Sequence, residues 1–344
     1  MEGLVTDVVA PRPGWRGRRV LVTGAAGFLG TWLTQALVDS GARVVCLVRD
    51  EEPETLFFLA GLDRCVTLVR GSVTDYFLLE RVLRQYEIDT VFHLAAAAIV
   101  GRAVESPLSA FESNIRGTWH VLEAVRRTPT VRRLVVASSD KAYGAQPTLP
   151  YTEESPLQGR APYDVSKSCA DLLAQSYGYT YGLPVAITRC ANLYGPGDFN
   201  WSRLIPGTIR SMFLGEAPII RSDGHFTRDY LYIADAVDAY LLLAERAEEP
   251  GVKGHAFNFG PGQAISVLEL VRRLLALGPD PSLVPRVLNE AKDEIRDQSL
   301  ASEKARRVLG WQPRWALQDG VARTVQWYHG YFQDRLPDQV AASS

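Results

Sequence analysis

Tyr163 and Lys167 stand four residues apart in a segment with helical spacing, so their side chains lie on one face of the predicted helix. The hydroxyl of an ordinary tyrosine has a pKa near ~10, and a neighbouring ammonium favours its ionised form. The pair is therefore predicted to supply a general base near neutral pH. There is a plain alternative, because a surface tyrosine and a surface lysine produce the same pattern.

A second polar cluster, Ser138-Ser139-Asp140-Lys141, follows a short apolar segment that is predicted to be a strand. Parallel sheets bind their ligands at the carboxyl ends of strands, and this cluster lies at such an end. Ser139 could hold a substrate hydroxyl beside Tyr163, whereas a purely structural polar loop is the alternative. The occurrence of both segments in one chain favours a catalytic site.

Three glycines, Gly24, Gly27 and Gly30, separate the apolar segment 19–23 from a helical pattern over 28–40. Glycines at this place let the backbone turn sharply and approach a pyrophosphate, while the helix start offers free N–H groups to the anion. The strand–turn–helix context favours a dinucleotide site over a turn that merely begins a helix.

Arg49 and Asp50 follow the second predicted strand, where the cofactor's adenosine ribose is expected. Asp50 could bind the ribose of NAD, whereas Arg49 could pair with the 2′-phosphate of NADP. An exposed ion pair between the two is a third possibility. The sequence therefore predicts NAD(P) and leaves the choice between NAD and NADP open.

Apolar strand patterns alternate with helical patterns through the first part of the chain, which predicts a parallel sheet covered on both faces. We therefore predict an α/β fold with a Rossmann-like, doubly wound sheet. After Gly195 the elements shorten, which predicts a smaller C-terminal α/β substrate-binding lobe. The predicted domains are 18–195 and 196–335, with a soft boundary that the chain crosses. The predicted strands are 19–23, 43–48, 66–70, 90–94, 133–138 and 184–189, and the predicted helices are 28–40, 77–85, 110–127 and 163–181.

The composition is ordinary for a soluble globular protein. The chain has 344 residues, of which 47% are hydrophobic and 22% charged, and its formal net charge is −2. We expect no nucleic-acid partner and no membrane span, because a basic surplus and a run of ~20 apolar residues are both missing. The first seventeen residues are predicted to form a mobile leader without a signal peptide. Four scattered cysteines predict neither a metal site nor disulfides, which suggests the cytoplasm.

A set of motifs along residues 18–332 resembles the extended short-chain dehydrogenases/reductases of the NAD-dependent epimerase/dehydratase type, which modify nucleotide-linked sugars. The motifs are G-x-x-G-x-x-G, HLAAA at His93–Ala97, NIRGT with Asn114, SSDKAYG, YDVSK, NLYGPGD, RDYLY and LGWQP at Leu309–Pro313.

The resemblance implies a role for each matching residue. Ser139, Tyr163 and Lys167 match the active-site triad, in which Tyr163 takes the proton of the sugar 4-hydroxyl. NAD(P) is expected to stay tightly bound, and Lys167 to bind its ribose as well. For Arg228, implied to contact the diphosphate, an exposed ion pair with Asp229 is the alternative. The remaining cofactor residues are Gly24, Gly27, Phe28, Leu29, Gly30, Arg49, Asp50, Ser72, Val73, Leu94, Ala95 and Ala96, and the substrate residues are Asn192, Arg203 and Arg228.

Asp140 and Lys141 decide which reaction the resemblance implies. In a 4,6-dehydratase, Asp140 would protonate the departing C6 hydroxyl, and Lys141 as a neutral amine would remove the C5 proton. An ion pair that only shapes the loop is the alternative. S-D-K resembles the CDP-glucose group of NDP-hexose 4,6-dehydratases, although Ser72 replaces a usual aspartate and RDYLY is closer to other branches.

Two other functions are alternatives to the dehydratase, and the sequence also suggests a quaternary structure. A 4-epimerase would use the same Tyr163 and Lys167, and a non-catalytic nucleotide-binding relative would tend to lose part of the triad. The helices predicted over 110–127 and 163–181 carry apolar residues beyond a narrow stripe. Family members commonly pair two such helices, so we expect a C2-symmetric homodimer.

Overall fold

A parallel sheet of seven strands runs through the centre of the computed structural model, which describes residues 9–291 and 294–333. The strands of this sheet are β1 (Arg19–Thr23), β2 (Arg43–Val48), β3 (Thr67–Arg70), β4 (Thr90–His93), β5 (Arg133–Ala137), β6 (Val185–Cys190) and β11 (Ala256–Phe259). The short strands outside it are β7 (Asn192–Tyr194), β8 (Ile219–Ile220), β9 (Thr227–Arg228), β10 (Tyr230–Tyr232), β12 (Ile265–Ser266) and β13 (Arg286–Val287).

The main sheet has the order β3-β2-β1-β4-β5-β6-β11, so the direction of strand placement reverses between β1 and β4. Doubly wound folds bind ligands in the crevice at such a point. The apolar residues of β1 and β5, such as Val20, Val22 and Val135, are buried because helices cover both faces of the sheet. The predicted doubly wound α/β fold is confirmed.

The helices are α1 (Phe28–Asp39), α2 (Leu56–Leu59), α3 (Tyr76–Gln85), α4 (Val100–Glu105), α5 (Pro107–Phe111), α6 (Gly117–Arg126), α7 (Pro162–Tyr181), α8 (Leu204–Phe213), α9 (Ile233–Glu245), α10 (Val267–Leu275) and α11 (Leu317–Gln333). Helix α7 begins with Pro162, whose fixed φ suits a first turn. It ends at Gly182, which has φ +62°. Its long buried face carries both Tyr163 and Lys167.

The helix predicted over 110–127 is interrupted. A π-helical turn, Glu112–Arg116, joins α5 to α6. It holds Asn114 inward, where the Asn114 Oδ1 accepts from the Ala97 backbone N–H at 2.7 Å and its Nδ2 donates to Ser166 Oγ at 2.8 Å. Wide turns of this kind often occur at functional sites.

The C-terminal part combines short strand pairs (β7 with β10, β9 with β12, β8 with β13) and the helices α8, α10 and α11. Two of its elements lie with the main sheet instead. β11 pairs with β6, with Ala256 opposite Ile187, and α9 packs against α1 and β5. The predicted C-terminal lobe therefore also contributes β11 to the main sheet and α9 to its helical cover. Residues 334–335 of that lobe lie outside the described part.

The predicted leader needs a correction. Residues 1–8 lie outside the described part, but Trp15 is fully buried and its Nε1 donates to Glu245 at 2.7 Å. Burial of a large aromatic ring fixes residues 13–15 on the body of the protein, so this part is not mobile. Within the described ranges, none of the helices has the length and apolar character needed to cross a bilayer.

Candidate active site

The carboxyl ends of the main-sheet strands open into a cleft of about 1450 Å³. All of the residues predicted from the sequence line it: Ser139, Asp140, Lys141, Tyr163 and Lys167; Gly24, Gly27, Phe28, Leu29, Gly30, Arg49, Asp50, Ser72, Val73, Leu94, Ala95 and Ala96; and Asn192, Arg203 and Arg228.

The glycine turn before α1 is shaped as a dinucleotide cradle. Gly24 has φ +74°, and a Cβ on it would lie 2.7 Å from the Ala95 backbone nitrogen. A Cβ on Gly30 would collide with the Gly24 carbonyl oxygen. The turn can pass this close to the neighbouring backbone only without side chains, and the N-terminus of α1 then faces the cleft. These residues fit a dinucleotide.

The end of β2 carries the exposed ion pair that was one of the sequence alternatives. The Arg49 Nε lies 2.6 Å from Asp50 Oδ2, and the side chains are 65% and 57% exposed. Both residues border the cleft, so either can turn towards an adenosine ribose. Ser72 Oγ contacts Thr74 Oγ1 at 2.8 Å, which gives this side of the cleft a neutral hydroxyl.

Tyr163 and Lys167 face the cleft from α7. The Lys167 Nζ donates to the Ala137 carbonyl at 2.8 Å. Burial lowers the pKa of Lys167 to about 8 and raises the pKa of Tyr163 to about 12, although a hydrogen bond with Ser139 opposes the rise. The sequence predicts that the ammonium favours the phenolate; desolvation of the phenol outweighs that effect here.

A buried ion pair that the sequence analysis missed supports this face of α7. Asp171 is one turn beyond Lys167, and both of its carboxylate oxygens accept from Arg189, at 2.8 and 2.9 Å. Arg189 also donates to the hydroxyl of Tyr143 at 2.8 Å. The i, i+4 spacing after Lys167 was visible in the sequence, but the partner from β6 was not.

Asp140 begins a short 3₁₀ turn, Asp140–Tyr143, in which Ser139 Oγ accepts from the Lys141 backbone N–H at 3.2 Å. Ser139 Oγ also donates to Asp140 Oδ1 at 3.1 Å. Burial raises the pKa of the Asp140 carboxyl, and the charge of Lys141 opposes the rise. A carboxyl that keeps its proton more readily suits a general acid.

Gln298 is a second residue that sequence reasoning missed. The Lys141 Nζ donates to its Oε1 at 3.0 Å, and its Nε2 donates to Asp140 Oδ2 at 3.4 Å. Among the described residues, this amide joins the two side chains in place of the direct ion pair considered above. No spacing pattern connects residues 157 positions apart, so the sequence alone gave no signal.

Asp164 follows the candidate base directly and is buried. Burial raises its pKa to about 6, while the charge of Lys141 lowers it and that of Asp140 raises it. A second carboxyl, besides that of Asp140 itself, therefore belongs to the electrostatic surroundings of the Asp140–Lys141 pair.

The predicted substrate residues also line the cleft. The Asn192 Nδ2 donates to the Asp229 carbonyl at 3.3 Å. Arg203 Nη1 lies 2.8 Å from Asp198 Oδ2. Arg228 is buried and donates to the Arg296 carbonyl at 2.7 Å, with its guanidinium in the cleft wall.

The alternative for Arg228, an exposed ion pair with Asp229, does not hold. Asp229 is fully buried, and its carboxylate accepts from the backbone N–H groups of Gly262, Gln263 and Leu300. Among the described residues, the carboxylate that pairs with Arg228 is that of Glu294, at 3.5 Å. The Arg228 side chain therefore lines the cleft without pairing with Asp229.

Residues 20–260 match the model of the NAD dependent epimerase/dehydratase family. The chain belongs to this family. The predicted resemblance is confirmed, and the matched region contains the glycine turn and every predicted catalytic residue.

Similar family members act on nucleotide-linked glucose. The chain is 31% identical to a CDP-glucose 4,6-dehydratase of Salmonella typhimurium over 334 residues, covering 93% of this chain and 92% of the relative. It is 34% identical to a dTDP-glucose 4,6-dehydratase of Streptomyces niveus over 321 residues, covering 90% and 92%.

Solved structures of the family have the same fold. A dTDP-glucose 4,6-dehydratase of Streptomyces venezuelae, solved with NAD and TYD, superposes with a TM-score of 0.83 at 32% identity, covering 93% of this chain and 99% of that one. A UDP-glucose 4-epimerase of Thermotoga maritima also reaches a TM-score of 0.83, at 28% identity, covering 91% and 99%.

Proposed function

We propose that this member of the epimerase/dehydratase family is an NAD(P)-dependent NDP-hexose 4,6-dehydratase, a lyase that forms an NDP-4-keto-6-deoxyhexose. The observation that carries the proposal is the placement of Asp140 and Lys141 in the same cleft as Ser139, Tyr163 and Lys167. Oxidation at C4 needs the last three residues, and elimination of water needs two further proton-transfer groups.

In the first step, Tyr163 Oη accepts the proton of the sugar 4-hydroxyl, and Ser139 Oγ orients that hydroxyl. Bound NAD(P)⁺ would accept the C4 hydride and return it at C6, and its positive charge would favour the phenolate. Lys167, fixed on the Ala137 carbonyl, places its charge beneath the same site. Tyr163 thus removes the hydroxyl proton, and with loss of the C4 hydride to the bound cofactor the sugar would become a 4-ketone.

The ketone acidifies the proton on C5, which the Lys141 Nζ removes as a neutral amine. Asp140 donates its proton to the C6 hydroxyl, which leaves as water, and a C5–C6 double bond forms. The Lys141 Nζ then returns a proton to C5, and with the hydride that the bound cofactor would supply at C6 this would complete the product. One water is lost in total, and the cofactor ends in its starting oxidation state, consistent with tight binding.

The proposed nucleotide and sugar rest on the likeness to characterised dehydratases. CDP-glucose and dTDP-glucose are the substrates named for the similar dehydratases. Arg228, Arg203 and Asn192 provide two positive charges and an amide on one wall of the cleft, which suits a diphosphate and its sugar. We place CDP-glucose first because the sequence Ser139-Asp140-Lys141 resembles that of the CDP-glucose group of dehydratases.

The test is incubation of the purified protein with CDP-, UDP-, dTDP- and GDP-hexoses, followed by mass spectrometry. Loss of one water from one of them supports the dehydratase, and in heavy water one deuterium should enter at C5. An unchanged mass with an inverted C4 and no label would support a 4-epimerase, which the likeness to a UDP-glucose 4-epimerase favours as the second candidate.

We further propose a homodimer and a cytoplasmic location. Leu108 on α5, Trp119 on α6 and Leu172 on α7 are 71%, 42% and 54% exposed. These helices pack against one another, so the three side chains can form one apolar face for a second copy. The free cysteines support a reducing compartment.

A further inference from the structure

We propose that Gln298 is a positioning residue that holds Asp140 and Lys141 in the arrangement that elimination of water requires. The inference rests on the proposed dehydratase function and concerns its second step only. Gln298 is fully buried, and its amide contacts both side chains, at 3.0 Å from Lys141 Nζ and 3.4 Å from Asp140 Oδ2.

The polarity of the amide matches the pair. The oxygen of a primary amide accepts hydrogen bonds and its nitrogen donates them. The Gln298 Oε1 therefore accepts a hydrogen bond from Lys141 Nζ, and its Nε2 donates one to Asp140 Oδ2. An amine with one N–H fixed in this way has fewer directions available to its lone pair. A leucine of similar size would leave both polar groups without this partner.

The backbone holds Gln298 firmly. Its N–H donates to the Thr227 carbonyl at 3.1 Å. The following residues bridge to Tyr151, whose N–H donates to the Ser299 carbonyl at 2.8 Å and whose hydroxyl donates to the Gly144 carbonyl at 2.9 Å. Gly144 ends the turn that carries Asp140 and Lys141. The segment that contains Gln298 and Ser299 thus supports the Asp140–Tyr143 turn in two ways. The Gln298 side chain contacts the turn directly, and Tyr151 links Ser299 to Gly144.

The same segment contacts the proposed diphosphate residue. Arg228 Nη1 donates to the carbonyls of Thr227 and Arg296, at 2.8 and 2.7 Å. Thr227 also receives the Gln298 N–H. A nucleotide diphosphate held by Arg228 would therefore bind beside the segment that sets the elimination pair.

The charged groups that act on the pair are identified. Asp164 interacts with both Lys141 and Asp140, and Arg228 and Asp229 interact with Asp140. A carboxylate at position 298 would add a negative charge at the one place where both side chains are hydrogen-bonded. It would favour the charged form of Lys141 and the protonated form of Asp140, so both limbs of the pH–rate profile should move to higher pH.

The experiment compares the parent with Gln298→Leu and Gln298→Glu, using the sugar nucleotide that loses water in the parent. Gln263→Glu is the matched control, because it makes the same amide-to-carboxylate change at an exposed position. We expect Gln298→Leu to lower kcat for water loss roughly tenfold to a hundredfold. Calorimetric affinity for the sugar nucleotide and reduction of the bound nicotinamide by substrate should stay within a few-fold of the parent.

The pH profile separates positioning from a structural role. Gln298→Glu should move the midpoints of the kcat profile upward, whereas Gln263→Glu should leave them unchanged. The inference is overturned if Gln298→Leu loses water at the parent rate, or if Gln298→Glu has a lower kcat at every pH with unchanged midpoints. Neither result contradicts the proposed dehydratase function. If Gln298→Leu does not fold, the isosteric Glu variant decides. If the parent loses no water from any sugar nucleotide, the proposed function and this inference fail together.

Discussion

Burial lowers the pKa of Lys167 to about 8, and the carboxylate of Asp171, one helical turn away on α7, opposes that fall. The two carboxylate oxygens of Asp171 in turn accept hydrogen bonds from the Nε and Nη2 of Arg189. The lysine of the candidate site thus has a buried counter-charge on its own helix. A buried carboxylate without Arg189 would be costly, so the two residues form one structural unit behind the cleft.

Tyr163→Phe should abolish turnover and leave binding of the nicotinamide cofactor nearly unchanged, because it removes the phenolic oxygen and keeps the ring. Cofactor binding can be measured by calorimetry and turnover by mass spectrometry of the sugar nucleotide. Activity within a few-fold of the parent would place the base elsewhere.

Lys141→Met should separate the two steps of the proposed reaction. Methionine keeps much of the side-chain length but cannot take a proton, so C4 oxidation should continue while elimination stops. With substrate, the absorbance of reduced nicotinamide should appear, and little or no 4-keto-6-deoxy sugar should be released. Product formation at the parent rate would return Lys141 to a structural role.

Arg49→Ala should distinguish the two cofactors. If Arg49 binds a 2′-phosphate, its loss should weaken NADP by roughly thirtyfold, about 2 kcal/mol, and NAD much less. Titration of both nucleotides into parent and variant gives the comparison. Equal weakening would point to stacking of Arg49 on adenine, and a parent that prefers NAD would give the ribose to Asp50 or the backbone.

Leu172→Glu should dissociate the proposed homodimer, because it places a charge in the centre of an apolar face on α7. Light scattering at micromolar concentration should then give a monomer mass for the variant and a dimer mass for the parent. Leu277→Glu is the control, since Leu277 has comparable exposure (46%) but lies in the other lobe. A monomeric parent contradicts the proposal.

Asp164→Asn should stabilise the protein at neutral pH and have little effect near pH 4. The pKa of Asp164 is raised to about 6 in the fold, so the folded state binds its proton more tightly than the unfolded chain. Stability is therefore lost as the pH rises from about 4 through 6, and an asparagine escapes that loss. We expect a gain of about 1–3 kcal/mol above pH 6.

Urea unfolding at pH 4.5 and pH 7.5 measures the effect, and Asp39→Asn at an exposed site is the control. A gain of equal size at both pH values would show that the carboxyl is not desolvated as described.

Local patterns gave the most reliable predictions from the sequence. The glycine turn and the Tyr163–Lys167 spacing each occupy fewer than ten consecutive residues, and the backbone geometry of one element places them. Strands β1 and β2 have the predicted bounds because each contains an apolar run and is followed by glycine or charge. A short apolar run of this kind is typical of a strand that is buried in a parallel sheet.

What the sequence could not supply depends on distant contacts. Gln298 reaches Lys141, and Arg189 reaches Asp171, only after the sheet has formed. The π turn at Asn114 keeps helical spacing on both sides, so periodicity does not reveal it. Strands such as β8 and β9 have two residues each, too few to show alternation.

The position of β11 at the edge of the main sheet affects how the chain folds during synthesis. Its partner β6 leaves the ribosome well before β11, which follows only after α8, α9 and the short strands between them. During that interval β6 has an unpaired edge, the kind of surface that attracts other extended chains. Pairing with β11 is therefore the step that covers that edge, and it becomes possible only once the second half of the chain has been made.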